Sequence, residues 1–318
     1  MTELHFEPND VEPMMRALVG VPSGARVVLA AGRFKLPFPI VLSTGVELVG
    51  DPGRTILDGG GKHTIFMLNG IDQVFSLDGL ILEGGRGQWG GAIFSGSRNR
   101  LRIDRCRFTR NRAHGDGGAL FVRNAVESRI TRTIFEKNAA KRGGGAFDIG
   151  HGADVLVDRC IFRANKATIG GAALLSGSGA LELRNCTLVD NRASWKRGGG
   201  ALFVDGARSS GPSAYVANSI FSGHEAIASD PSKQYQVFFV HSIVPADLFE
   251  QPRLENVKGN TVGTPRLERV GEFGWRLAPG APGAGTANVD RIERAATDIF
   301  GQELVRDGVA DPGALARL

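Results

Sequence analysis

The chain has 318 residues, of which 42% are hydrophobic, 7% are aromatic and 45 are glycine, so it can bury a sizeable core and is not a disordered chain. No apolar run is long enough for a membrane-spanning helix, and three cysteines, an odd number, argue against a closed disulfide framework. The formal net charge of +5 is compatible with an acidic partner and equally with ordinary solvated surface charge.

The N-terminal segment, residues 1–24, predicts a short cap. Asn9 and Asp10 precede "VEPMMRALVG", and a polar pair before an amphipathic run is typical of a helix N-cap. Such a helix would cover the open strand edge at the start of a β-structure. The segment lacks the basic stretch and apolar run of a secretory signal, which leaves a cytoplasmic location, export by another route, or a leader already removed.

Residues 25–245 contain an internal repeat of about 27 residues. One motif is Gly-Gly-Ala, with its second glycine at Gly91, Gly118, Gly145, Gly171 and Gly200. The other is Phe-x-x-Asn, which starts at Phe108, Phe135 and Phe162 and continues in altered form at Leu188 and Phe221. Each period holds three short apolar–polar alternations separated by breaks, which predicts three strands and three turns per coil. The expected fold is all-β: a single parallel β-helix, with coils stacked at the ~4.8 Å of ordinary strand spacing.

Stacked coils place equivalent side chains in ladders. The repeat predicts an apolar ladder (Phe108, Phe135, Phe162, Leu188, Phe221), a small-residue ladder (Cys106, Thr133, Cys160, Cys186, Ser219) and an asparagine ladder (Asn111, Asn138, Asn165, Asn191). Asparagine amides can hydrogen-bond from coil to coil, and asparagine tolerates a left-handed bend, so we interpret that ladder as structural. The paired glycines supply positive φ or close backbone approach at another corner. The cysteines are expected to be free thiols.

The strand after each Gly-Gly-Ala predicts an outward stripe. Alternation directs the first and third residues after the motif inward, so the second residues point out: Phe94, Phe121, Asp148, Leu174 and Phe203. An exposed apolar stripe usually has a cover or a ligand. Either the C-terminal tail covers it, or it is a stacking surface for sugar rings on which Asp148 hydrogen-bonds hydroxyl groups.

The turn before each Gly-Gly carries charge. Stacking places along one edge Arg112, His114, Lys141, Arg142, Lys166, Arg192, Lys196 and Arg197, together with Trp89 and Trp195. Such a basic edge suits an extended polyanion, for which a uronate polysaccharide is the favoured candidate. Nucleic acid is disfavoured because the chain contains no recognised nucleic-acid module. Solvated turns that keep the stacked loops soluble are the alternative interpretation.

Three residues form the candidate catalytic set: Asp148, His151 and Arg142. Gly150-His151-Gly152 is similar to the histidine motif of polygalacturonases, but that family's aspartate motifs and Arg-Ile-Lys are missing, so we interpret His151 first as a turn residue. A uronate lyase needs a cation to neutralise the sugar carboxylate and a base, roles that Arg142 or Lys141 could fill beside Asp148. The chain's aspartates fall on different predicted walls and turns (Asp104, Asp116, Asp148, Asp154, Asp158, Asp205), so neither a metal site nor a cofactor is expected.

The chain resembles two overlapping families. "GGAIF", "GGALF" and "GGAAL" with "FTRN", "FEKN" and "FRAN" are similar to the repeats of chlamydial polymorphic membrane proteins. The opening "VVLAAGRFKLPFPIVLSTGVELVGDPGRTILDGGG" is similar to pectate-lyase-type right-handed β-helices. Residues 246–318 lose the repeat and predict an irregular tail on the C-terminal coils; their "APGAG" and "DIFG" resemble the endings of secreted bacterial β-helix proteins. The resemblance implies a right-handed solenoid but not an activity, because this fold hosts lyases, hydrolases, epimerases, adhesins and scaffolds.

Three functions remain open on the sequence. The first is a non-catalytic scaffold or adhesin-like interaction protein whose basic edge docks an extended acidic polymer, or which binds a protein partner. The second is a polysaccharide-binding or polysaccharide-degrading protein, a lyase or glycoside hydrolase, that acts on uronate-type glycans. The third and least supported is a nucleic-acid binder. The sequence gives no indication of oligomeric state.

Overall fold

The structure is a computed structural model that describes residues 2–206, 211–223, 226–246, 248, 253–271, 274–292, 296–298, 300–307 and 309–315. In these ranges the chain forms a parallel β-solenoid with one α-helix, as the repeat predicts. No described helix has the length and apolarity to cross a membrane. Three walls and one narrow ribbon run along the solenoid, and all of their strand pairs are parallel.

We call the walls sheets A, B and C and the ribbon sheet D. Sheet A comprises Glu3–Phe6, Ala25–Leu29, Val46–Val49, Val74–Asp78, Arg100–Asp104, Ser128–Thr131, Asp154–Asp158, Ala180–Arg184, Ser213–Ala217, Gln236–Val240 and Leu254–Lys258. Sheet B comprises Gly32–Lys35, Thr55–Asp58, Leu80–Glu83, Arg107–Thr109, Ile134–Glu136, Ile161–Arg163, Thr187–Val189, Ile220–Phe221, Ile243–Val244 and Thr261–Val262. Sheet C comprises Ile40–Leu42, Phe66–Leu68, Ile93–Ser95, Leu120–Arg123, Phe147–Gly150, Ala173–Ser176, Leu202–Asp205 and Ile227–Ser229. Sheet D comprises Arg86–Gly87, Arg112–Ala113, Ala139–Ala140, Lys166–Ala167 and Arg192–Ala193.

The asparagine ladder joins successive coils between sheets B and D. The side-chain amide of Asn111 donates to Asn138 Oδ1 at 3.1 Å, and that of Asn138 donates to Asn165 Oδ1 at 3.0 Å. The left-handed bend was expected on the asparagines, but it lies on the residue before each of them: Arg110, Lys137, Ala164 and Asp190, with φ of 56, 54, 53 and 57°. Asparagine thus supplies hydrogen bonds, while its neighbour makes the turn.

Each Gly-Gly pair meets two different demands. The first glycine adopts a left-handed φ, for example 63° at Gly144, which a side chain would oppose. The second has no room for a side chain, because a Cβ on Gly145 would lie 2.0 Å from the carbonyl oxygen of Gly171 on the next coil. The pair therefore turns the chain into sheet C and lets adjacent coils approach.

The interior follows the predicted ladders. Phe108, Phe135 and Phe162 are buried and stack with ring centroids 4.8 Å apart, one coil spacing. The three cysteines are free and buried, as expected. Burial raises the pKa of the Cys106 thiol to about 12, so this residue acts as a small apolar side chain in the core.

The N-terminal helix spans Val11–Val19 and seats its apolar face on the first coils. Asp10 was expected to cap this helix, but its side chain does not do so. Its carboxylate instead accepts a hydrogen bond from the Glu7 amide, at 2.9 Å, outside the helix. The parallel ladder starts before residue 25, with strand Glu3–Phe6 paired to Ala25–Leu29. It continues beyond residue 245 through Leu254–Lys258 and Thr261–Val262.

The described tail residues pack on the outer face of sheet B. Ala314 and Leu315 contact Ile161, and an antiparallel hairpin, Leu267–Val270 with Gly274–Leu277, lies beside them. A short 3₁₀ turn follows at Val289–Arg291. The "DIFG" segment closes a turn in which the Asp298 carboxylate accepts hydrogen bonds from the amides of Phe300 and Gln302; its Ile299 lies outside the described residues.

Candidate functional site

The outer face of sheet C carries the predicted stripe in register. Phe94, Phe121, Asp148, Leu174 and Phe203 are paired from coil to coil. The first and third residues after each Gly-Gly-Ala face the core, so the predicted phase is correct. The expected exposure is wrong for Phe121 and Phe203, which are each only 4% exposed, whereas Phe94 is partly exposed.

The turns of the same repeat cover the stripe, whereas the tail residues that the structure describes pack on sheet B. The indole of Trp89 lies 6.3 Å from Phe94 and 6.1 Å from Phe121, centroid to centroid. Trp195 lies 6.2 Å from Phe203. Trp89 and Trp195 remain 42% and 56% exposed, so in this region the tryptophans carry the exposed aromatic surface. Alternation within a strand could not reveal this, because each turn folds back over the strand that follows it.

A cleft of about 490 Å³ opens between the two tryptophan-covered regions. It forms there because the turns of the intervening coils contain no tryptophan. Its titratable lining side chains are Asp116, Arg123, Lys141, Arg142, Asp148, His151 and Asp205. The structure thus brings together Asp148, His151 and Arg142, the three catalytic candidates.

Asp148 forms the floor of the cleft. Its side chain is 1% exposed, and its Oδ1 has no hydrogen-bond partner within the described ranges. Burial raises the pKa of Asp148 to about 7, with a further upward contribution from the negative charge of Asp116, against the opposing effects of Arg123, Arg142 and a hydrogen bond with Ser176. A carboxyl group that titrates near neutrality can donate or accept a proton during a reaction.

His151 occupies the turn after strand Phe147–Gly150, with φ of 48°, as the turn interpretation predicts. It also lines the cleft. Partial desolvation, and then the positive charge of Arg123, lower the pKa of His151. Its imidazole is therefore neutral at neutral pH and can act as a base.

The rim of the cleft is cationic. Arg142 Nη1 lies 3.7 Å from Asp116 Oδ2, and the Arg142 side chain is 75% exposed. The other oxygen of Asp116 accepts a hydrogen bond from the Gly143 amide at 2.8 Å, which fixes this turn. Lys141 is exposed beside Arg142.

Sheet D organises three residues of the predicted basic edge into one row. Arg112, Lys166 and Arg192 stack in register through Ala139, and all three side chains are exposed. Arg86 was not among the predicted residues because it precedes the first complete repeat. It extends the row and donates from Nε to His114 Nε2 at 3.2 Å. The exposed Trp195, Lys196 and Arg197 follow on the turn after Arg192–Ala193.

A second outward row was also missed. It lies two residues beyond the stripe and consists of Arg123, Gly150, Ser176 and Asp205 in register. Continuing the alternation by one more step would have found it. Asp116, Asp148 and Asp205 were expected to lie apart, on different walls and turns. That expectation is wrong, because all three line the cleft. Among the residues that the structure describes, no cluster of three or more His, Cys, Asp or Glu side chains could hold a metal ion.

These features define a right-handed parallel β-helix. Residues 75–221 match the family model described as "Right handed beta helix region". No curated protein matches the sequence.

Three solved structures are similar at 12% identity. One is a mannuronic-acid-specific polysaccharide family 6 lyase from human gut microbiota (82% of this chain, 83% of that chain, TM-score 0.31). Another is a PL6 alginate lyase in complex with a trisaccharide (98% and 95%, TM-score 0.34). The third is a mutant of a PL6 family alginate lyase (97% and 58%, TM-score 0.30). At this identity the likeness concerns the fold alone.

Proposed function

We propose that this protein binds an extended acidic polysaccharide along the corner between sheets C and D and cleaves it by acid–base chemistry at the Asp148 cleft. One observation carries the proposal: a buried carboxyl group with an unpartnered oxygen lies inside a cleft with a cationic rim. An acidic sugar would bring negative charge to the exposed Lys141 and Arg142 of this rim.

The aromatic surfaces support a ligand that runs along the solenoid axis. Trp89 and Trp195 belong to coils separated by four spacings, about 19 Å at ordinary strand separation. The cleft lies between them, and indole faces can stack on the apolar faces of sugar rings. A chain laid along the axis would therefore contact one tryptophan, cross the cleft and reach the other.

Elimination is the reaction that the cleft favours. A base removes the proton from the carbon beside the sugar carboxylate, the bond from the ring to the bridging oxygen breaks, a carbon–carbon double bond forms, and an acid protonates the departing oxygen. We assign the base to the neutral imidazole of His151 and the acid to protonated Asp148. Arg123 and Arg142 would stabilise the negative charge that builds on the carboxylate.

A second candidate function is non-catalytic docking of the same class of polymer. The observation that favours it is the length of the sheet D row, which extends beyond the cleft on both sides. Within the described ranges, no carboxylate forms an ion pair with Arg112, Lys166 or Arg192. Such a row can hold a polyanion without any reaction.

The test is to incubate the purified chain with alginate, polygalacturonate, a glucuronan and neutral glycans. Elimination is followed by the ultraviolet absorbance of the unsaturated product, and hydrolysis by new reducing ends. Asp148→Asn should lower the elimination rate by about 100-fold or more. Asp154→Asn, which changes an exposed carboxylate at the start of a sheet A strand, is the matched control and should keep the rate.

The outcomes separate the candidates. An unsaturated product that depends on Asp148 supports elimination. Salt-sensitive binding without new chain ends supports docking and removes the catalytic part of the proposal. Neither binding nor cleavage of any acidic glycan overturns both candidates.

A further inference from the structure

Arg123 lines the cleft at the end of a sheet C strand, beside a glycine of the next coil. It ends strand Leu120–Arg123 two residues after Phe121, so both side chains lie on the outer face of sheet C. Its partner in register on the next coil is Gly150, which has no side chain. A Cβ on Gly150 would lie 2.7 Å from Ser176 Oγ, so the glycine leaves the space between Arg123 and Ser176 open.

The guanidinium of Arg123 is held in place without being neutralised. Its Cζ lies 4.6 Å from the ring centroid of Phe121, a cation–π contact that restricts its orientation. Its Nε is buried and has no hydrogen-bond partner within the described ranges. A buried donor left unpaired is costly, so the arrangement favours a ligand that supplies an acceptor.

The other cations of the cleft are less suited to this role. The Arg142 side chain is 75% exposed and lies 3.7 Å from a carboxylate oxygen of Asp116. Lys141 is exposed at the rim, where solvent and salt weaken its attraction for an anion. Arg123 combines partial burial with a planar fork that matches a carboxylate through two parallel hydrogen bonds.

We infer that Arg123, positioned by Phe121, receives the carboxylate of a bound sugar and makes the cleft select uronates over neutral sugars. This inference rests on the proposed function and deepens it. It assigns selectivity to a single residue of the cleft, whereas the basic row of sheet D attracts any polyanion. Asp148 and His151 lie close enough for the charge of Arg123 to affect both, so a carboxylate bound to Arg123 would sit beside both reacting groups.

The experiment compares each uronate oligosaccharide with its own methyl ester, which keeps the ring and removes the charge. Tetramers of galacturonate, mannuronate, guluronate and glucuronate are titrated calorimetrically, each as free acid and as ester. The wild type is used alongside Asp148→Asn, which should consume the ligand far more slowly during the titration. Arg123→Gln, Arg123→Lys and Phe121→Leu are tested in both backgrounds. Arg129→Gln, which removes an exposed arginine from sheet A, is the matched control.

For the ligand that binds, the free acid should be preferred over the ester by about 10- to 100-fold, the range of one charge-assisted hydrogen-bonding pair. Arg123→Gln should abolish that preference, and Arg123→Lys should restore only part of it. Phe121→Leu should reduce the preference while Arg123 is still present. Arg129→Gln should leave it unchanged.

Two results would overturn the inference, and they are distinguishable. If the wild type prefers the acid and Arg123→Gln keeps the same preference with an unchanged melting temperature, Arg123 is not the selecting residue and the proposed function stands. If the wild type binds none of the four acids, the proposed function fails and the inference fails with it.

Discussion

Asp148→Asn should stabilise the folded protein at neutral and alkaline pH, although it removes the proposed acid. The pKa of Asp148 is raised from 3.8 to about 7 by burial. Between these two pH values the folded protein binds more protons than the unfolded chain, so the free energy of unfolding falls as pH rises through this window. A shift of about three pKa units corresponds to a penalty of about 4 kcal/mol once the carboxyl group is charged. Asparagine has nearly the same shape and carries no charge at any of these pH values.

The assay is urea unfolding of both proteins between pH 4 and pH 8, with Asp154→Asn as the exposed control. The difference in the free energy of unfolding between Asp148→Asn and the wild type should increase with pH. Relative to its value at acidic pH, where Asp148 is protonated in both states, it should be larger by about 2 kcal/mol at about pH 5.5 and by about 4 kcal/mol above pH 7. A stability difference that does not change with pH would refute the reasoning, because it would mean that Asp148 ionises as a solvated carboxyl group does. A gain in stability coupled to a loss of activity is the expected signature of a residue retained for function.

Three further predictions concern the solenoid itself. Asn138→Ala should lower the free energy of unfolding by about 2–4 kcal/mol in urea, because it leaves two buried donors of Asn111 unpaired. Gly145→Ala should prevent cooperative folding, which would be seen as loss of the β-sheet circular dichroism signal. The control Gly20→Ala should fold normally, because no atom lies within 4 Å of the new Cβ. Equal behaviour of the two variants would contradict the argument from close backbone approach. The thiols should resist iodoacetamide at pH 8 until urea unfolds the chain, since burial raises the pKa of Cys106 to about 12, and rapid labelling of the native protein would argue against that burial.

The solenoid was predictable because its signal is repeated. The Gly-Gly pairs, the Phe-x-x-Asn motifs and the alternation between them each constrain the same coil, and a wrong phase would have brought Asp148 into the core. The tail was predicted to pack on the coils, but the wall that it covers was not, although a signal existed. The outward residue that starts each sheet B strand changes from Arg107 to Ile134 and then Ile161, and the latter two pack against tail residues.

The candidate site was predicted less completely than the fold. Asp148, His151 and Arg142 were identified because each breaks or flanks a repeated pattern. Asp116 and Asp205 were placed elsewhere, because the sequence does not show how a turn folds back over its neighbouring strand. The roles of Trp89 and Trp195 as covers depend on that same folding back, which is set by side-chain packing and not by local periodicity.

The length of the cleft is set by the number of coils that it spans. Each coil advances the solenoid by one stacking distance, 4.8 Å between adjacent rings of the phenylalanine ladder. The distance between Trp89 and Trp195 is therefore a whole number of coil spacings. Because each coil contacts only its neighbours, inserting or deleting one repeat between Trp89 and Trp195 would change the distance between them by one coil spacing. The rest of the solenoid would stay in register. Evolution could thus match the length of the site to a longer or shorter ligand without redesigning its chemistry.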